Sequence, residues 1–191
     1  MDEPTWLSAG HSEPMIAYVL DHGSPRKLRL FMAACWSRRA GTLRTYKALR
    51  KAVARAEELA DDSRKHTPRD EGYYVTQANP RRAVPITAQV VAGLRGPGHV
   101  SRAVQADLLR EIFGNPFRPA VIDPYWRAWN DGAVIHLAQA IYDERAFDRL
   151  PILADALEDA GCALVELLAH LRGAGPHVRG CWVLDRLLGK E

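Results

Sequence analysis

Three cysteines, Cys35, Cys162 and Cys181, are all that 191 residues contain. An odd number this small reads as reduced thiols rather than a disulfide framework. No apolar run approaches the ~20 residues of a spanning helix, so no membrane partner is expected. The N-terminus is acidic and lacks an apolar core of the signal-peptide kind, which argues against export and for a cytoplasmic setting. Sustained apolar–polar alternation is missing, so a sheet is not supported. Missing too are a Walker-type phosphate loop, Gly-x-Ser-x-Gly and His-Glu-x-x-His. These absences lean against an enzyme, and no cofactor is expected. A net charge of +3 is too small to imply nucleic acid by itself.

What the chain does contain is helical patterning. Apolar residues make up 47% and charged residues 26%, an ordinary globular mix. Met15 to Leu20 reads as a short helix. Ser24-Pro25 reads as the start of another, with Leu28, Phe31, Met32 and Cys35 on one stripe. Thr42 to Leu59 is rich in Ala, Lys, Arg and Glu, strong helix formers. From Asp61 to Pro85 repeated Asp, Ser, Gly, Asn and Pro break the pattern, which predicts a loop or insertion. Helices are predicted again over Val84–Leu94 and His99–Phe113. Residues 113–130 read as an irregular strap carrying Phe117, Tyr125, Trp126 and Trp129, whose rings should pack across the bundle. The remaining predicted helices are Ala133–Phe147, Leu150–Ala160, Ala163–Leu171 and His177–Leu188. The expectation is an all-α fold, a compact multi-helix array in a single domain over residues 1–191. It subdivides into basic N-terminal helices (1–60), the loop (61–85) and a C-terminal helical core (86–191).

Charge is unevenly spread. Ten Lys and Arg stand between Asp21 and Ala60 against Asp21, Glu57 and Glu58, whereas nine acids face six bases from Ala140 onward. A basic face for an acidic partner, or attraction between the halves, follows from this asymmetry.

Several long blocks resemble an uncharacterised bacterial family with many paralogues. They are Trp6-Leu7 with Arg26–Phe31, Leu108–Pro119, Leu137–Asp148, and the stretch from Leu150 to Glu191. The family has no assigned activity, so the resemblance implies a shared fold and little else. Its members carry Cys directly after the equivalent of His170, where this chain has Leu171.

Three chemistries compete for the corner between the last two predicted helices. The first is zinc. Cys162, His170, His177 and Cys181 are donors of suitable type. If residues 163–171 are helical, Cys162 and His170 stand about 12 Å apart along the axis, too far for all four to meet. No metal ligand is therefore assigned, and His170, His177 and Cys181 stay as the residual candidates. The second is nucleic acid. Arg172-Gly173-Ala174-Gly175 before a helix is similar to a helix-hairpin-helix turn, which aims backbone N–H groups at phosphate. Arg95-Gly96-Pro97-Gly98-His99 echoes it, and His99 and Asp107 align with His177 and Asp185. Ala174 and Pro97 replace the larger apolar residue usual in that turn, and Arg179 a small one. The third is catalysis. Asp143, Glu144, Asp148, Asp155, Glu158 and Asp159 read as solvated or ion-paired faces. A thiolate at Cys181 activated by His177 is disfavoured by the apolar run that follows.

The reading is a non-catalytic cytoplasmic interaction module whose partner is another protein. Its working surface combines Arg38, Arg39, Arg44, Lys47 and Lys51 with the corner residues Arg172, Gly173, Gly175, His177 and Arg179. The alternative is a non-sequence-specific nucleic-acid binder that also uses Gly96, Gly98 and His99. A small zinc-binding domain is the third reading.

Overall fold

The computed structural model describes residues 1–40, 47–62, 79–94, 96 and 98–190. All regular structure among them is helical, as the patterning predicts. The helices are α1 (Glu3–Ser8), α2 (Glu13–His22), α3 (Pro25–Ala40), α4 (Lys47–Asp61), α5 (Pro80–Gly93), α6 (Arg102–Phe113), α7 (Pro124–Glu144), α8 (Leu150–Asp159), α9 (Val165–Arg172) and α10 (Trp182–Leu188). A single 3₁₀ turn, Phe147–Arg149, precedes α8. No helix among the described residues is long and apolar enough to cross a membrane.

Local chemistry sets the starts. Asp2, Asn79, Ser101 and Asp123 each accept a bond from a first-turn N–H, and Pro follows in α1, α5 and α7. Several boundaries differ from the sequence reading. α5 begins at Pro80, because Asn79 caps it inside the predicted loop. α6 begins at Arg102 rather than His99, because Ser101 is its cap. The irregular strap narrows to residues 114–123, and Tyr125, Trp126 and Trp129 lie instead in the first turns of α7. α7 breaks at Trp129–Gly132, where Asn130, Asp131 and Gly132 take positive φ. The last helix begins at Trp182, five residues later than expected. Gly180 prevents an earlier start. Its φ of +97° is non-helical, and a Cβ there would meet Leu30 Cδ1 at 2.9 Å.

Buried apolar side chains form two main cores. The N-terminal core is built around Trp6, Met15, Leu28, Phe31, Leu108 and Ile112. The C-terminal core is built around Val134, Ile141, Leu153, Leu167, Leu171 and Leu184. The cores therefore divide at the strap, not at residues 61–85. α3 packs on α4, α5 and α6, while α7, α8, α9 and α10 pack among themselves. At the seam Trp6 Nε1 donates to Gly114 O at 2.8 Å, and Gly114 lies so close under the Trp182 ring that a Cβ would meet Cγ at 2.9 Å.

Candidate metal centre

Two polar clusters sit on this seam. The first gathers Glu111, His170, His177 and Cys181, whose donor atoms all lie within 4.8 Å of one another. Each comes from a different local structure. Glu111 is in the last turn of α6, on the same side as Leu108 and Ile112, and its side chain is 3% exposed. His170 is in the last turn of α9. Cys181 is the N-cap residue of α10 and is fully buried. His177 lies in the non-helical segment between them, where Gly175 takes φ +85°.

Three of the separations are short. His170 Nε2 stands 3.2 Å from Cys181 Sγ and 3.2 Å from Glu111 Oε2. His177 Nδ1 stands 3.3 Å from the same Oε2. The other carboxylate oxygen, Oε1, accepts the Val178 N–H at 3.2 Å. On the far side of its ring, His177 Nε2 is 3.0 Å from Gly173 O. A carbonyl only accepts, so that nitrogen carries the hydrogen and a neutral ring presents the Nδ1 lone pair to the carboxylate. Two acceptors then face each other, and only a proton or a metal cation between them resolves the contact. Coupling to Glu111 accordingly lifts the His177 pKa above its ordinary value, against the opposing effect of burial. Burial works to raise the Glu111 carboxyl, but bonds from His170 and His177 hold it below the ordinary range. Burial, reinforced by the Glu111 charge, pushes the Cys181 thiol well up. That leaves no activated thiolate in a metal-free site.

Zinc bound to N and O donors at ~2.0–2.1 Å and to S at ~2.3 Å has tetrahedral edges of about 3.3–3.6 Å. The short edges here are 3.2, 3.2 and 3.3 Å. The Gly173 carbonyl behind His177 is the outer-shell acceptor that orients a ligating imidazole. A cleft of about 250 Å³, lined by Asp107, Glu111, His170, His177 and the 173–176 turn, opens onto the three non-sulfur donors.

The second cluster is an ion-pair network. Arg26 grips Asp185 with both terminal nitrogens, at 2.6 and 3.0 Å, and reaches Asp61 at 3.1 Å. Tyr142 Oη donates to Asp61 at 2.7 Å and accepts from Arg26 at 2.9 Å. Arg179 pairs with Asp61 at 2.6 Å and lies 4.5 Å above the Tyr142 ring. Asp185 is fully buried, and desolvation raises its pKa despite the Arg26 contact.

Several sequence-level assignments are corrected here. The axial-spacing argument removes only Cys162, which lies in the C-terminal core apart from the cluster. His170, His177 and Cys181 do meet, and the fourth donor is Glu111, 66 residues before His177. Leu171, the departure from the paralogous family, faces the core and not the cluster. In the corner His177 and Arg179 precede the helix, and Gly173 has φ −66° where Gly96 has +104°, while Gly175 and Gly98 are both positive at +85° and +68°. Its cations are already engaged, Arg179 by Asp61 and Arg172 by Asp155 and Glu158 of α8. His99 Nδ1 lies 2.9 Å from Leu94 O. Asp107 is in an exposed pair with Arg110, unlike its aligned counterpart, the buried Asp185. Arg38, Lys47 and Lys51 are exposed, while Arg44 and the side chain of Arg39 lie outside the described residues.

Comparison with protein-family models, with curated proteins and with solved structures finds no match for this chain.

Proposed function

We propose that the protein is a zinc-binding helical protein whose metal is structural. The single observation that carries the reading is the convergence of Glu111, His170, His177 and Cys181, whose donor atoms all lie within 4.8 Å of one another. A thiolate, two imidazoles and one carboxylate suit Zn²⁺ far better than Mg²⁺ or Ca²⁺, which take all-oxygen shells. The carboxylate and thiolate together neutralise a dication, so the buried centre carries no net charge. Four protein donors fill a tetrahedral shell and leave no position for substrate, which separates a structural from a catalytic zinc site. Binding displaces the Cys181 proton, and any proton shared between His177 and Glu111, so affinity falls as pH falls. A cytoplasmic setting goes with the three free, buried thiols. The test is elemental analysis of purified protein combined with Co²⁺ substitution. About one zinc per chain, and a thiolate-to-cobalt absorption band lost in Cys181→Ser, is the expected result. Protein that neither retains nor takes up a divalent ion overturns the proposal.

A second reading, an interaction module, is favoured by the outer face of α5. Ile86, Val90 and Leu94 follow one another at four-residue spacing and are 46%, 43% and 39% exposed. Arg38, Lys47 and Lys51 supply exposed positive charge on α3 and α4. A protein partner held by the apolar stripe survives high salt and is lost in Val90→Asp. Nucleic acid bound by the basic helices dissociates steeply with salt. Elution alone, as a monomer, removes this reading.

A further inference from the structure

The four donors are not distributed evenly between the two cores. Glu111 belongs to α6, whose neighbours Leu108, Leu109 and Ile112 are all in the N-terminal core. His170 and Cys181 flank Leu171 and Val183, which are in the C-terminal core. His177 is carried by the 173–181 segment, which crosses from one core to the other. That segment is non-helical, with one turn bond from Cys181 N–H to Val178 O, and Val178 packs against the N-terminal core. Val178 N–H donates to Glu111, Arg179 pairs with Asp61, and Gly180 rests on Leu30 of α3. The Val178–Glu111 and Arg179–Asp61 contacts are polar and join groups from opposite sides of the seam.

An ion bonded to all four donors therefore joins the two cores through a single atom. We infer that zinc at Glu111, His170, His177 and Cys181 fastens the C-terminal core to the N-terminal core, so that metal occupancy sets whether the 173–181 segment is docked across the seam. This inference rests on the zinc reading above and adds a consequence to it. A structural ion held inside one core would stiffen that core alone. Here two donors from one side and His177 of the crossing segment close on a single carboxylate from the other, and the carboxylate is the bridging member. The cleft over Glu111, His170 and His177 gives the ion a route in and out without unfolding either core. Occupancy is thus a controllable variable of the folded protein rather than a once-only event during folding.

Hydrogen–deuterium exchange on the full chain tests this, comparing EDTA-stripped protein with the same protein given one equivalent of Zn²⁺. The expected result is at least tenfold slower exchange over residues 173–181, with the amides of α8 unchanged. Stoichiometric zinc uptake with unchanged exchange over 173–181 overturns the fastening and leaves the metal site standing. No uptake overturns both. Glu111→Gln separates bridging from simple ligation, because the amide oxygen still accepts from Val178 N–H while the anionic donor is gone. That variant should retain zinc more weakly through the three remaining donors and lose most of the slowing. Slowing equal to the wild type in Glu111→Gln overturns the bridging role.

Discussion

The two polar clusters on the seam solve the same problem in opposite ways. In the Arg26 cluster, two guanidinium groups face the carboxylates of Asp61 and Asp185, and Tyr142 fills the remaining bonds. Its charges balance within the chain. In the Glu111 cluster, one carboxylate, two imidazoles and a thiol converge. Its charge is balanced either by a proton shared between His177 and Glu111 or by a metal cation. A buried polar cluster complete in itself is structural glue. One whose balance a proton or a metal can supply is the candidate site proposed above. The pair teaches that charge balance, rather than burial, distinguishes the two.

The contrast is sharpest where it can be broken. Arg26→Ala leaves Asp185 buried without its partner and should cost about 3–5 kcal/mol in chemical denaturation, with or without zinc. Cys181→Ala removes a direct ligand, so its effect on zinc affinity should exceed the ~10–100-fold typical of an outer-shell change. Measured by chelator competition, that loss should come with little change in the stability of the metal-free protein. If Cys181→Ala destabilises the metal-free protein as much as Arg26→Ala, the two clusters are not different in kind. Gly180→Ala tests the seam between them. Its positive φ and the close approach of Leu30 predict a loss of about 1–2 kcal/mol in both forms.

Acid acts on the completed cluster. Desolvation is the largest single influence and raises the Asp61 carboxyl, but bonds from Tyr142 and Arg179 and the charges of Arg179 and Arg26 together hold it below its ordinary value. Its folded pKa lies under its unfolded one, so the unfolded chain binds more protons between the two. The stability Asp61 contributes is full above the ordinary carboxylate pKa, ~4, and is lost as pH falls through the folded value. Asp61→Asn should flatten that acid limb of a stability-against-pH curve in metal-free protein. An unchanged slope removes Asp61 from the acid response.

The helices were legible in the sequence because their apolar stripes recur at helical spacing, as Leu28, Phe31, Met32 and Cys35 do in α3. The start of α10 was not. Residues 177–181 carry no proline, and the helix is prevented only by Gly180 pressing on Leu30, a contact made across the seam. The candidate site was half legible. His170, His177 and Cys181 stood out by residue type, and axial rise correctly separated Cys162 from His170. Glu111 was missed, although a signal existed. It follows Leu108 by three residues and precedes Ile112, so it lies on the buried stripe of an amphipathic helix, where a carboxylate requires a reason. Asp61 and Arg26 were hidden for another reason. They stand 35 residues apart, and Asp185 lies 159 residues beyond Arg26, so only the tertiary fold unites them.

The ring of Trp182 rests on Gly114 on one side and lies 5.2 Å from the ring of His170. An indole in that position is wired to both halves of the molecule at once. Its emission should respond to a shift of either neighbour. The chain thus carries an optical gauge of its own centre, one of five tryptophans and readable by replacing the other four.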